Sequence, residues 1–190
     1  MRLLISIFIA LLITTSVYAD GLVIGWPPAG GTLKDSNTAA STGVYQVGRY
    51  SASLYVGGNF TASSAYTLSS LKVFLTRVGT ATGTLTARIY STTAGAPNVQ
   101  LSACSVTVDR STVPTSETAV EFTGCSQALE NATEYCIIVS SSEVNGEEDV
   151  RVNFSAGGGL YTHEMYTDAD GTAPFAANND EVLKFETYGN

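Results

Sequence analysis

Tyr66-Thr67-Leu68-Ser69-Ser70-Leu71-Lys72-Val73-Phe74-Leu75-Thr76-Arg77-Val78-Gly79-Thr80-Ala81-Thr82-Gly83-Thr84-Leu85-Thr86-Ala87-Arg88-Ile89-Tyr90-Ser91 holds two alternating runs joined by a short Gly/Thr connection. Leu71, Val73 and Leu75 alternate with Lys72, Phe74 and Thr76, and Leu85, Ala87 and Ile89 alternate with Thr84, Thr86 and Arg88. Successive side chains leave a strand on opposite sides, so this period of two marks strands with one buried face. The stretch reads as a β-hairpin whose inward residues are the six aliphatics.

Comparable short runs recur at 44–47, 50–60, 104–109, 117–123, 134–141, 150–154, 160–166 and 182–188. Turn residues separate them, and Gly57-Gly58 reads as a bend or bulge within or just after its strand. Residues 92–98 read as a loop in which Gly95 and Pro97 stop the preceding strand. The one stretch with some helical character, 127–133, is too short and too polar to matter. Ten or so short strands predict an all-β fold, an antiparallel β-sandwich of jelly-roll-like type.

Residues 1–19 stand apart. Met1-Arg2 gives a positive start, 3–13 is an apolar run broken only by Ser6, and Val17-Tyr18-Ala19 offers a small-residue cleavage site, so the segment reads as a secretory signal peptide. The run is short for a membrane anchor, and no later segment could span a bilayer as a helix. Residues 20–43 read as a flexible leading segment carrying one apolar strand, Leu22-Val23-Ile24-Gly25-Trp26, before Pro27-Pro28 and Ala29-Gly30-Gly31. That strand either packs as an edge or loop on its own sandwich or completes the sheet of a neighbouring copy, with Leu22, Val23, Ile24 and Trp26 as the assembly residues. Residues 44–190 are expected to form a single β-sandwich domain.

The chain carries a formal charge of −8, one unit more acidic once Arg2 leaves with the leader, and its few Lys and Arg are scattered singly. Nucleic acid is therefore not an expected partner, since phosphate binding needs clustered cations. Three cysteines in an exported chain permit one disulfide and leave one thiol. A hairpin of 104–109 with 117–123, bulged at Gly124, sets Cys104 opposite Cys125 while Val106 faces Phe122 and Val108 faces Val120. That register favours Cys104–Cys125 with Cys136 a buried, inert thiol in its apolar run. Cys125–Cys136 is the alternative.

Candidate chemistry is sparse. Asp168-Ala169-Asp170-Gly171 has the carboxylate-x-carboxylate-Gly form of a calcium loop, so Asp168 and Asp170 are the metal candidates, although an Asp-Gly turn needs no metal. No other cofactor is expected. Glu147-Glu148-Asp149 forms a second acidic cluster. Glu117 and Glu121 share one strand face, which brings glycoside hydrolysis into consideration. His163 has no nucleophile elbow near it, and no catalytic residue is assigned. Tyr161 and Tyr166, with Tyr45, Tyr50, Tyr55 and Tyr90, could supply a sugar-stacking platform, because an aromatic face packs on the apolar face of a pyranose. Asn59-Phe60-Thr61, Asn131-Ala132-Thr133 and Asn153-Phe154-Ser155 match the glycosylation sequon.

The 65–73 and 83–91 segments, the Gly95-Ala96-Pro97 loop, the Ala132-Thr133-Glu134-Tyr135 strand entry and the closing Leu183-Lys184-Phe185-Glu186-Thr187-Tyr188-Gly189 together resemble the bacterial exported "choice-of-anchor" β-sandwich domains. The resemblance runs from about Tyr50 to the C-terminus and implies a jelly-roll-like surface or secreted module without catalysis, with no functional residues to transfer. The chain reaches Asn190 without a sorting motif or hydrophobic tail, which moves the expectation from anchoring to free secretion or self-assembly.

The expected function is a secreted, non-enzymatic structural or adhesive module, self-assembling into an extracellular fibre or surface layer. Its partners are further copies of itself or extracellular glycans. The alternative is a carbohydrate-binding module using tyrosine stacking, and the third reading a small glycan-active hydrolase.

Overall fold

The structure is a computed structural model describing residues 31–48, 55–144, 149–157, 165–168, 176–178 and 181–190, with backbone alone for 165–168 and 176–178. The expected signal peptide, the leading strand Leu22–Trp26, Tyr161 and Asp170 lie outside the described residues.

Thirteen strands are seen among the described residues, in two antiparallel sheets. The first sheet holds β1 (Thr32–Asn37), β2 (Gly43–Val47), β4 (Tyr66–Arg77), β7 (Thr118–Leu129), β9 (Val150–Ala156), β12 (Glu181–Leu183) and β13 (Phe185–Gly189). The second runs in the order β11 (Ala176–Asn178), β10 (Met165–Asp168), β3 (Tyr55–Thr61), β8 (Glu134–Ser141), β5 (Thr84–Thr93) and β6 (Ala96–Asp109). The sheets close on one core. Leu68, Leu71, Val73, Leu75, Phe122, Phe154 and Phe185 enter from the first sheet, and Val56, Phe60, Leu85, Ala87, Ile89, Ile137 and Val139 from the second. Phe60 meets Phe185 across the interface with ring centroids 5.3 Å apart. The fold is thus the expected antiparallel β-sandwich.

The opening stretch is not a hairpin. Its two strands, β4 and β5, stand in different sheets, with β4 pairing β7, β9 and β13 and β5 pairing β6 and β8. The six aliphatics are all buried as expected, but they face one another across the core. Residues 78–83 cross between the layers, a span of roughly 10 Å in a packed sandwich, with Ala81 buried beneath the crossing and Gly79 and Gly83 at φ 66° and 84°. The hairpin forms one strand later. Thr93 pairs Ala96 around Ala94 and Gly95, whose φ values of 51° and 81° give the doubly left-handed two-residue turn that suits strand twist. Residues 92–98 are therefore a tight turn flanked by strand residues, and Pro97 is tolerated because β6 is an edge strand.

Gly57 and Gly58 also differ from expectation. They lie in unbroken register between Ile138 and Ile137 of β8 and Tyr166 and Met165 of β10. Gly57 is required by close approach: a Cβ there would strike the Ile137 carbonyl oxygen and Ile138 Cδ1.

Within the stretch expected to be a flexible leash, Thr32–Asn37 forms a strand on β13. Asp35 decides this, since its buried carboxylate accepts from Ser63 N–H at 3.0 Å and Tyr66 O–H at 2.9 Å, while its own N–H donates to Thr187 Oγ1 at 3.0 Å. Strands β12 and β13 are separated only by Lys184 and pair with β9 and β4 respectively. Because β9 and β4 are themselves antiparallel, a chain antiparallel first to one and then to the other turns at Lys184. At that point Lys184 N–H donates to Asn153 O and Phe74 N–H donates to Lys184 O, both at 3.2 Å.

Candidate functional site

The Cys104–Cys125 disulfide is present, with Cα atoms 4.4 Å apart and Cys136 free and buried. The expected route to it is corrected. Strands β6 and β7 are edge strands of opposite sheets, not a hairpin, and Val106 pairs Ala87 of β5. Each cysteine falls where its strand slips register, Cys104 between Gln100 and Ser105 and Cys125 between Thr123 and Gln127. Such irregularities bend a strand, and here they bring two edges within bonding distance. Gly124, at φ 98°, makes the expected bulge, but against β4.

On the outer face of the second sheet, Cys136 and Ile138 are buried beneath Tyr55 and Tyr90, in a cluster separate from the core. Arg88 Nη1 donates to Ser140 Oγ beside them, and the Tyr90 hydroxyl lies 3.4 Å from Gln100 Oε1. Burial raises the Tyr90 phenol above its ordinary value, Arg88 opposes this, and Tyr55 and Cys136 add to it. Burial likewise drives the Cys136 thiol well above its usual range, with Glu134 adding to it. Of the tyrosines grouped from sequence, Tyr55 and Tyr90 come together here, and the backbone of Tyr166 pairs Gly57 in the same sheet. Tyr45 is elsewhere, packed on Phe154 of the first sheet at 4.7 Å. Tyr50 and Tyr161 lie outside the described residues. The apolar floor of this patch was obscured in sequence because 135–139 reads as a continuous apolar run, which does not say that Cys136 and Ile138 face away from the core.

The outer face of the first sheet is charged. Lys72 pairs in register with Glu121 on one side and Glu186 on the other, and its Nζ lies 3.0 Å from Tyr188 Oη and 3.6 Å from Glu186 Oε2. Glu121 accepts from Ser70 Oγ at 3.0 Å. Lys184 is buried despite its charge, paired with Glu117, donating to Ser41 Oγ at 3.0 Å and lying 4.7 Å from the Phe74 ring centroid. Burial alone would raise the Glu117 carboxyl, but the hydrogen bonds from Lys184 and Ser41 prevail and hold it below its ordinary value. A carboxyl held ionised is a poor proton donor, and both glutamates considered for glycoside hydrolysis are already engaged, Glu121 on the sheet face by Ser70 and Glu117, just ahead of β7, by Lys184 and Ser41.

Three further polar side chains, Tyr66, Arg110 and Asp149, are internal. Burial pushes the Tyr66 phenol far above its ordinary value, opposed by its bond to Thr187 and reinforced by Asp35. Arg110 is fully buried, donating to Glu143 O at 3.2 Å and Val47 O at 3.5 Å, and the buried Asp149 lies 3.4 Å from Arg151 Nε. Of the calcium candidates, Asp168 is described in backbone only, paired with Tyr55. Among the described residues no group of three or more His, Cys, Asp or Glu is placed to hold a metal.

These features define an all-β sandwich whose edges are joined by an inter-sheet disulfide. No family model matches the chain, and neither a curated protein nor a solved structure matches it. Among the described residues no helix is long and apolar enough to cross a membrane.

Proposed function

We propose that this protein is an exported, non-enzymatic structural or adhesive β-sandwich module. The observation that carries this reading is the Cys104–Cys125 bridge between strands that are at the edges of the two sheets among the described residues, since disulfides persist mainly in oxidising, extra-cytoplasmic compartments and serve there to hold a small fold together. The resemblance of its strand and turn residues to exported surface domains supports the same reading. Self-assembly is favoured by exposed apolar residues on edge strands, Leu33 on β1 and Val99 on β6, because unpaired edges template strand addition. Negative-stain microscopy of secreted protein tests it: ordered fibres or sheets that vanish on deletion of residues 20–31 are the expected result. Dispersed monomers at all concentrations would remove the assembly reading.

A second reading, carbohydrate binding, is favoured by the meeting of Tyr55 and Tyr90 beside Arg88 and Gln100. Aromatic faces with adjacent planar polar groups suit a pyranose. A glycan array with Tyr55→Ala and Tyr90→Ala separates it from the first. Binding lost in both variants supports it, and no binding by the wild-type chain counts against it.

A further inference from the structure

The three sequons differ sharply in setting. Asn59 lies within β3, paired with Cys136 of β8, is 1% exposed, and donates from Nδ2 to the Gly95 carbonyl at 2.5 Å. Asn153 lies in β9 at the point where the β12–β13 chain turns, is 3% exposed, and donates to Phe74 O at 3.2 Å and Thr76 Oγ1 at 3.1 Å. A glycan on either amide would break these bonds and force a bulky, hydrated group into a packed sheet.

Asn131 is the opposite case. It is exposed at the tip of the turn from β7 to β8, where Thr133 N–H donates to Glu130 O at 3.3 Å and Ala132 holds φ 55°. The turn is fastened from its other side, Ala132 N–H donating to Ala62 O at 2.8 Å and Ala62 N–H to Thr133 O at 3.0 Å. The acceptor triplet is therefore presented on a fixed, solvent-facing bend, and no bond to the sheets has to be given up.

We propose that Asn131 is an N-glycosylation site, and the single one of the three sequons that the folded protein can carry modified. The donor class is an oligosaccharide on a lipid pyrophosphate. Asn131 Nδ2 forms a bond to C1 of the reducing-end sugar as the C1–O bond to pyrophosphate breaks. The bonding pair leaves with the lipid pyrophosphate, and the amide nitrogen gives up one of its two protons. No oxidant or reductant enters. Thr133 supplies the hydroxyl that the transferring enzyme requires at the third position.

The test is secretion of residues 20–190 from a glycosylating eukaryotic host behind that host's own leader, followed by glycopeptide mass spectrometry of the folded, disulfide-bonded product. The expected result is one glycan, on Asn131, lost in Asn131→Gln and in Thr133→Ala and kept in Thr133→Ser. Asn131→Gln is expected to keep the wild-type melting temperature, since Asn131 is exposed. Folded wild-type protein without a glycan on Asn131, or with one on Asn59 or Asn153, would overturn the assignment.

Discussion

Tyr66 and Asp35 show how one polar pair can decide the fate of a strand. Replacing Tyr66 by Phe leaves the ring in place but removes the donor to a buried carboxylate, an unsatisfied group worth about 1–3 kcal/mol. The expected outcome is a lower urea midpoint with an unchanged slope. Gly57→Ala places a methyl against the Ile137 carbonyl and is expected to destabilise by about 1–3 kcal/mol or more, read by the same melt. Glu117 carries the acid dependence. Its folded pKa lies below its ordinary value because the bonds from Lys184 and Ser41 outweigh burial. Stability from the pair is therefore full above the ordinary carboxylate value of about 4.3, and is lost as pH falls through the folded pKa. Glu117→Gln should flatten that acid limb, and overlaid melting curves of the two proteins from about pH 5 to pH 3 would refute the assignment.

Between strands, the disulfide does what hydrogen bonds cannot, since β6 and β7 belong to different sheets. With cysteines 21 residues apart, its loss as Cys104→Ser/Cys125→Ser should cost about 3 kcal/mol through the freed unfolded chain, seen as a drop in melting temperature insensitive to reductant. Cys136 provides an internal check. Buried, with its thiol pKa raised, it should resist a thiol reagent in the native protein and react only in denaturant. The same pair of edge strands shows where sequence patterning stops. The pairing of Cys104 with Cys125 was legible, as was a bulge at Gly124, but through a hairpin that does not exist. Two runs with a buried face and a tight separation fit a hairpin and a sheet-to-sheet crossing equally well, because both put the same residues inside.

For the complete sandwich, β1 is the added piece that a Gly-, Ser- and Thr-rich composition hid. Removing residues through Asn37 would uncover the edge of β13 and leave Tyr66 and Thr187 without Asp35. The expected result is a lower melting temperature together with concentration-dependent aggregation, and a truncated chain that melts and sediments like the parent would show β1 to be dispensable. The candidate surface was less legible than the fold. Tyr55 and Tyr90 were two of six tyrosines without a reason to separate them, and strand register brought them to one patch while packing the partly buried Tyr45 against the core. The sequence by itself determined the strand content and the inward faces of most strands, because alternation is local, and it favoured Cys104 with Cys125 over Cys125 with Cys136, a choice the tertiary structure decided. Only the tertiary structure decided which sheet each strand joins, which sequon faces water and which polar residues are buried with partners. Those outcomes rest on contacts between residues far apart in the chain, such as Asp35 with Thr187 and Lys184 with Glu117, which no local pattern encodes.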